Sequence, residues 1–214
     1  MLPNSMDEPR STVVVVHAPV GVREHRGSQS SARHARPAVE APCAGPAVEA
    51  PMDHQATHTF DAPIAEVWAM FTDPEAHIAK FDRMGHRDIE LLETVHEGDT
   101  FTIKLQRVVE VELPGFAKKV LSPTNTVIST DWWVDNGDGT YAGSWVLETI
   151  GAPVDIRGTT LLEPDGDQTN YTLTFDLKVN VPLIGGKIAN WARGDAEKQV
   201  QAEFAAGDAW LAAH

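Results

Sequence analysis

Hydrophobic and polar residues alternate strictly between residues 170 and 179. The apolar members of this run are Tyr171, Leu173, Phe175, Leu177 and Val179, and a polar residue separates each from the next. Because successive side chains of a strand point to opposite faces, the run predicts a β-strand with one buried face.

Five earlier segments show a similar alternation, near residues 89–95, 101–109, 126–133, 141–147 and 154–162. Turn residues separate most of them, which predicts an antiparallel meander with one apolar face. A four-residue loop at Pro164–Asp167 would place Leu162 opposite Thr169.

The turn at Asp135–Asp138 sets the faces of the two strands beside it. A four-residue loop there would pair Trp132 with Tyr141. We therefore expect Trp132 to lie inside the sheet and Trp133 outside.

The C-terminal residues 181–214 predict a long amphipathic helix. Spacings of four and seven residues place Ile188, Ala192, Ala196, Val200, Phe204 and Leu211 on one stripe. Such a face needs a surface, and the sheet supplies it. Ala192 and Ala196 would leave room between helix and sheet where a closed core would call for larger side chains.

A first strand near residues 54–60 and two short helices precede the meander. Asp61-Ala62-Pro63 and Thr72-Asp73-Pro74 each combine a capping residue with a proline suited to a first helical turn. The predicted fold is therefore α+β: a curved, antiparallel seven-stranded sheet, two short helices after strand 1, and a long C-terminal helix across the concave face.

Residues 1–51 differ from the rest in composition. Aromatic residues are absent, and the sequence PAVEAP occurs twice, at Pro37–Pro42 and Pro46–Pro51. Such a tract buries too little apolar surface to offset its ordering entropy. We expect a disordered low-complexity tail at 1–51 and a single domain at 52–214.

The net charge and the cysteine content indicate which partners and which cellular location to expect. The net charge is −14, and because residues 1–51 are neutral, all of it falls on the predicted domain. Such acidity disfavours nucleic acid and anionic membranes as partners. No apolar run is long enough to span a membrane. Cys43 is the single cysteine, so no intramolecular disulfide forms, and we expect a reducing, cytoplasmic location.

No motif identifies a metal or cofactor site. His54 and His58 share a strand face but lie about 13 Å apart at strand spacing, too far for one metal ion. Phosphate-binding loops and nucleophile elbows are also missing. We therefore expect no cofactor and no metal, and we lean against an enzyme.

Two charged residues, Glu93 and Arg107, fall on the apolar parity of their strands. An unpaired charge inside a protein is costly. The favoured interpretation is that both reach solvent, end a strand or pair with each other. In the alternative, Arg107 anchors a ligand carboxylate or polarises a carbonyl.

The tryptophans and the segment Leu113–Pro123 each have two interpretations. Trp68, Trp132, Trp145 and Trp191 fill a core by default, but indoles also line apolar pockets. The segment Leu113–Pro123, which contains Phe116 and two lysines, is either an anchored connection or a flap over a cavity mouth.

Four segments resemble one known family. They are FDAPIAEVWAMFTDPE (Phe60–Glu75), LPGFAKK (Leu113–Lys119), GAPVDIRGTTLLEP (Gly151–Pro164) and VNVPLIGGKIANW (Val179–Trp191). Together with the element order they resemble START-like (SRPBCC, Bet v 1-type) helix-grip domains. More narrowly, they resemble the actinobacterial "domain of unknown function 2505". The superfamily resemblance implies a deep apolar cavity for lipids, sterols, polyketides or hydrophobic hormones.

These observations predict a protein that binds a hydrophobic, lipid-like or polyketide-like small molecule in a cavity of several hundred Å³. A START-like cyclase, dehydratase or hydrolase with polar cavity groups is the alternative, and a protein-interaction module is a third hypothesis. The residues expected at the cavity are Phe101, Leu105, Arg107, Phe116, Trp132, Trp145, Ile156, Phe175, Ile188, Trp191 and Ala192.

Overall fold

The computed structural model describes residues 54–214, so the predictions for residues 1–51 lie outside the described residues. Ten elements follow one another along this part of the chain. They are β1 (His54–Phe60), α1 (Ile64–Thr72), α2 (Pro74–Arg83), β2 (Arg87–Glu97), β3 (Thr100–Glu110), β4 (Thr124–Asp135), β5 (Tyr141–Thr149), β6 (Val154–Asp165), β7 (Gln168–Val179) and α3 (Gly185–Leu211).

The seven strands form one antiparallel sheet in the order β1-β7-β6-β5-β4-β3-β2. Strands β2 to β7 are a simple meander, and β1 pairs with β7. The 27-residue helix α3, about 40 Å long, packs against the sheet and against α1 and α2. The predicted α+β helix-grip fold is confirmed. Within residues 54–214, no helix combines the length and apolar character needed to cross a membrane.

The two prolines mark the short helices as predicted, but only one cap has a side-chain hydrogen bond. Asp73 caps α2, where its carboxylate accepts from the backbone N–H of Glu75 at 2.9 Å. Pro63 itself is the N-cap of α1, and Asp61 instead accepts from the side chain of Gln168. Cap chemistry therefore stabilises the start of α2 more directly than that of α1.

The prediction that Trp132 lies inside and Trp133 outside is wrong. The loop between β4 and β5 has five residues, so Asp135 pairs with Tyr141 and Trp133 faces Gly143. A change of one residue in loop length exchanges the two faces of a strand. Trp133 is 3% exposed, whereas Trp132 lies half-buried on the outer face.

The turn between β6 and β7, by contrast, is shorter than predicted, and the strand faces are unchanged. Asp165 pairs with Gln168 across a two-residue turn, in which Gly166 has a positive φ of 63°. Leu162 consequently faces Tyr171, two residues from its predicted partner Thr169. An even shift keeps the apolar sides of both strands inward.

Glu93 and Arg107, the two charged residues predicted on the apolar side of their strands, differ in exposure because a β-bulge interrupts β2. The register of β2 against β3 shifts between Leu91 and Glu93, which leaves Glu93 exposed beside Lys104. Arg107 has no such irregularity and remains on the inner face of β3, 3% exposed. The favoured interpretation therefore holds for Glu93 and is wrong for Arg107.

Aromatic side chains fill one end of the space between the helices and the sheet. The rings in this cluster belong to Phe60, Trp68, Phe71, Trp133, Tyr141, Tyr171 and Phe204. Gly207 holds α3 close to this cluster, because a Cβ atom at position 207 would lie 2.8 Å from Phe60. The C-terminal end of α3 around Gly207 is thus packed tightly against this cluster.

Candidate ligand cavity

A cavity of about 210 Å³ lies between the sheet and residues 191–203 of α3. Its apolar wall comprises Met84, Val109, Val111, Leu113, Leu121, Val127, Trp145, Leu147, Ala152, Val154, Ile156, Phe175, Leu177, Trp191, Ala192, Ala196 and Val200. Its polar lining residues are His86, Arg107, Ser122, Asn125, Thr149, Asp195, Gln199 and Glu203. An apolar space with a few polar groups is typical of a small-molecule site.

Small side chains on α3 create this space. Ala192 and Ala196 are one helical turn apart and both line the cavity, with Trp191 beside them toward the start of the helix. Residues spaced by three or four positions share a helix face, so Asp195 and Glu203 line the same wall. Burial raises the pKa of Asp195, and the nearby Lys198 lowers it by less.

The segment from residue 113 to residue 123 has features of both earlier interpretations. Leu113 and Ala117 are buried against Ile188 at the start of α3, which anchors the segment. Leu113 also lines the cavity, together with Leu121. Phe116 packs outside the cavity wall, where the ammonium group of Lys187 lies 4.3 Å from its ring centroid.

Arg107 is a buried charge with few partners. Nη1 donates a hydrogen bond of 2.8 Å to the hydroxyl of Ser129, and the guanidinium carbon lies 3.7 Å from the ring centroid of Phe81. No other hydrogen bond and no ion pair within 4.0 Å involves Arg107 among residues 54–214. Burial lowers the pKa of Arg107, while the charges of Glu203 and Asp131 oppose that shift from a greater distance.

Asp131, Lys80 and Glu203 complete an internal group of charges around Arg107. Lys80 lies 3.5 Å from Glu203, at the edge of ion-pair distance. Burial raises the pKa of Asp131 to about 6, an effect that the positive charges of Lys80 and Arg107 oppose. Two cations and two anions therefore lie near one another, and two of them, Arg107 and Glu203, line the cavity.

Two buried histidines adjoin this group. His86 stacks on Phe81 at 5.5 Å, and burial together with the charge of Arg107 lowers its pKa to about 4. His77 contacts the backbone oxygen of Phe71 through Nε2 at 2.9 Å, and burial lowers its pKa to about 3. Both imidazoles are consequently neutral near pH 7.

Trp145 lies flat on the neighbouring strand because residue 158 is glycine. A Cβ atom there would lie 2.5 Å from Cε2 of Trp145 and would also clash with the backbone oxygen of Thr174. The indole N–H of Trp145 has no hydrogen-bond partner among residues 54–214. Nδ1 of His86 and Nε of Arg107 share this property.

Six of the residues expected at the cavity are brought together there. They are Arg107, Trp145, Ile156, Phe175, Trp191 and Ala192. Phe101 and Leu105 are buried in the main core instead, and Ile188 belongs to the cluster around Leu113. Phe116 packs near that cluster, and Trp132 lies on the outer face of β4.

Sequence reasoning missed several cavity residues. Met84 and His86 follow α2 in an irregular connection, where no periodicity assigns a side chain to a face. The position of Glu203 could have been predicted, because it lies at helical spacing from Ala192, Ala196 and Gln199 and therefore on the same helix face. In the described part of the chain, no three His, Cys, Asp or Glu side chains lie close enough together to bind one metal ion.

Comparison with known proteins gives a family match. Residues 55–211 match the family described as "Protein of unknown function (DUF2505)". Uncharacterized proteins of Mycobacterium tuberculosis and Mycobacterium bovis are 29% identical over 110 residues, which is 47% of this chain and 63% of theirs. The match therefore spans less than two thirds of those relatives.

Two crystal structures show the same fold at low identity. The protein TTHA0849 of Thermus thermophilus is 15% identical with a TM-score of 0.55, over 74% of this chain and 96% of that one. The Zhui aromatase/cyclase of Streptomyces sp. R1128 is 18% identical with a TM-score of 0.53, over 74% and 92%. These likenesses support the fold alone.

Proposed function

We propose a function from one premise: the chain belongs to the DUF2505 family, described as a protein of unknown function. That match confirms the family resemblance expected from the four sequence segments. The proposed function is the binding of a hydrophobic small molecule, lipid-like or polyketide-like, between the sheet and α3. The observation that carries it is the largely apolar cavity of about 210 Å³ in an otherwise packed domain.

The energetics of packing support an occupied cavity. Protein interiors are normally as dense as organic crystals. The space of 210 Å³ is instead open at one side, and most of the side chains that line it are apolar. An apolar ligand would remove this lining from contact with water, which is favourable. The volume is below the several hundred Å³ expected from sequence, which favours a compact ligand or one that extends through the mouth.

Six residues are the proposed contacts of the ligand. Trp145, Ile156 and Phe175 offer the sheet wall, Trp191 and Ala192 the helix wall, and Arg107 a polar group at the inner side. Entry is proposed between the segment 113–123, whose Leu113 and Leu121 line the cavity, and the start of α3.

Native mass spectrometry of the protein purified from its own host tests this proposal. We expect a bound mass that organic extraction removes and that behaves as an apolar compound. The extracted protein should then bind the apolar dye Nile red with one-to-one stoichiometry. A protein that carries no apolar compound, and that does not bind the dye after extraction, would contradict the proposal.

A reaction in the same cavity is the second candidate. The observation that favours it is that His86 and Glu203, two groups able to take up or release a proton, line the same cavity as Arg107. Incubation of the recovered ligand with the extracted protein distinguishes the two functions. Conversion that Glu203→Gln abolishes without loss of binding would indicate an enzyme, and an unchanged ligand would indicate a binding protein.

A further inference from the structure

We propose that the cavity selects an apolar ligand bearing one neutral carbonyl oxygen, which accepts a hydrogen bond from Arg107. This inference rests on the proposed function and names the ligand class for that same cavity. It assigns Arg107 a binding role that is distinct from proton transfer.

The first argument is the unused donor capacity of Arg107. A guanidinium group has five N–H donors, and Arg107 makes a single hydrogen bond, to Ser129, among residues 54–214. Phe81 lies against the guanidinium face and fixes its plane, so the remaining donors are oriented before any ligand binds. Buried polar groups are nearly always hydrogen-bonded, and Arg107 is 3% exposed.

The second argument is that one free donor of Arg107 is open to the cavity. Nη1 is bonded to Ser129, and Nε is shielded without a partner. Nη2 has no hydrogen bond among residues 54–214 and is not shielded. Because Arg107 lines the cavity, a ligand oxygen there can accept from Nη2, and an apolar ligand without one would leave that donor unpaired.

The third argument, from charge, separates a neutral oxygen from a carboxylate. Arg107 and Lys80 already face Asp131 and Glu203, so the internal charges balance without a ligand. Asp195 on the helix wall adds a further acidic group to the lining. A ligand carboxylate would bring an uncompensated anion into this space, whereas a carbonyl oxygen accepts from the same donors without one.

Displacement of Nile red by three undecyl compounds tests the inference: methyl nonyl ketone, undecane and undecanoate. We expect the ketone to bind about tenfold more tightly than undecane, which corresponds to one net hydrogen bond. Undecanoate should bind more weakly than the ketone. Undecanoate as the tightest ligand, or equal binding of ketone and undecane, would overturn the inference while leaving the proposed function intact.

One variant assigns the effect to the named donor. Arg107→Met should reduce the preference for ketone over undecane about tenfold; a folded Arg107→Met protein with an unchanged preference overturns the inference. If Arg107→Met does not fold, the infrared carbonyl stretch of the ketone bound to the wild-type protein decides: a lower frequency than in hexane supports the inference, and an unshifted band overturns it. Arg83→Met, at an exposed position, is the matched control.

These outcomes are separable from failure of the proposed function. If none of the three compounds displaces Nile red and the dye itself does not bind, the apolar cavity is not a ligand site and both proposals fail. If undecane binds and the ketone gains nothing, the cavity is an apolar site without carbonyl recognition.

Discussion

Replacing Ala192 by tryptophan should abolish most ligand binding while leaving the fold stable. Ala192 projects from α3 into the cavity, so the indole enters space that no protein atom occupies. If it displaces about four ligand methylene groups at ~0.8 kcal/mol each, binding weakens by about 3 kcal/mol, or roughly a hundredfold. The stability change should stay below the ~1–3 kcal/mol typical of an overpacked core.

Nile red titration measures binding, and urea unfolding measures stability. Two further alanine-to-tryptophan variants of the same helix serve as controls. Ala202→Trp, at an exposed position, should change neither quantity, and Ala206→Trp, in the packed core, should lower stability by about 3 kcal/mol or more. If Ala192→Trp loses stability as Ala206→Trp does and binds the dye normally, α3 covers a filled core and the reasoning is refuted.

Two further predictions concern stability. Gly158→Ala should lower the free energy of unfolding by about 2–4 kcal/mol in urea, because its Cβ would clash with the backbone oxygen of Thr174. Between pH 6.5 and pH 4 the protein should lose on the order of 3 kcal/mol of stability. Burial holds the pKa of His77 at about 3 and that of His86 at about 4, so the unfolded chain protonates first. Asp131, whose pKa is raised to about 6, opposes this loss because the folded state protonates first there.

Each of these has an internal control. Gly194→Ala, on an open face of α3, should raise stability by up to ~1 kcal/mol through helix propensity; equal effects of both glycine substitutions would contradict the packing argument. For the pH profile, His77→Gln removes one of the two groups and should flatten the curve between pH 6.5 and pH 4. A wild-type profile that rises on acidification would contradict the sign.

Element order and strand faces could be predicted where the sequence is one-sided. The strand ending at Val179 has polar residues on one parity and apolar residues on the other, so no turn error could invert it. The strand of residues 124–135 is mixed on both parities: Val127, Ser129 and Asp131 alternate with Ile128 and Thr130. Its face depends on the loop that follows, where positive φ angles at two glycines accommodate a fifth residue.

The candidate site was predictable only in part, for a related reason. Periodicity located Trp145, Phe175 and Ala192, because each lies on a regular element with a clear apolar face. It could not show that Phe101 lies in the filled end of the core and Phe175 at the cavity wall, since both have the same parity relative to the sheet. Depth along a strand depends on where helices cross it, which local patterns do not encode.

The two ends of helix α3 have different roles, because one end packs against the core and the other borders the cavity. Gly207 and Phe204 join one half of the helix to the aromatic cluster, where a single added methyl group meets Phe60. Ala192 and Ala196 lie on the other half, against open volume. Substitutions there can resize the cavity in steps of one methylene while the anchored half keeps the backbone in place. The same scaffold can therefore diversify its ligands through a few positions of one helix, without a new fold.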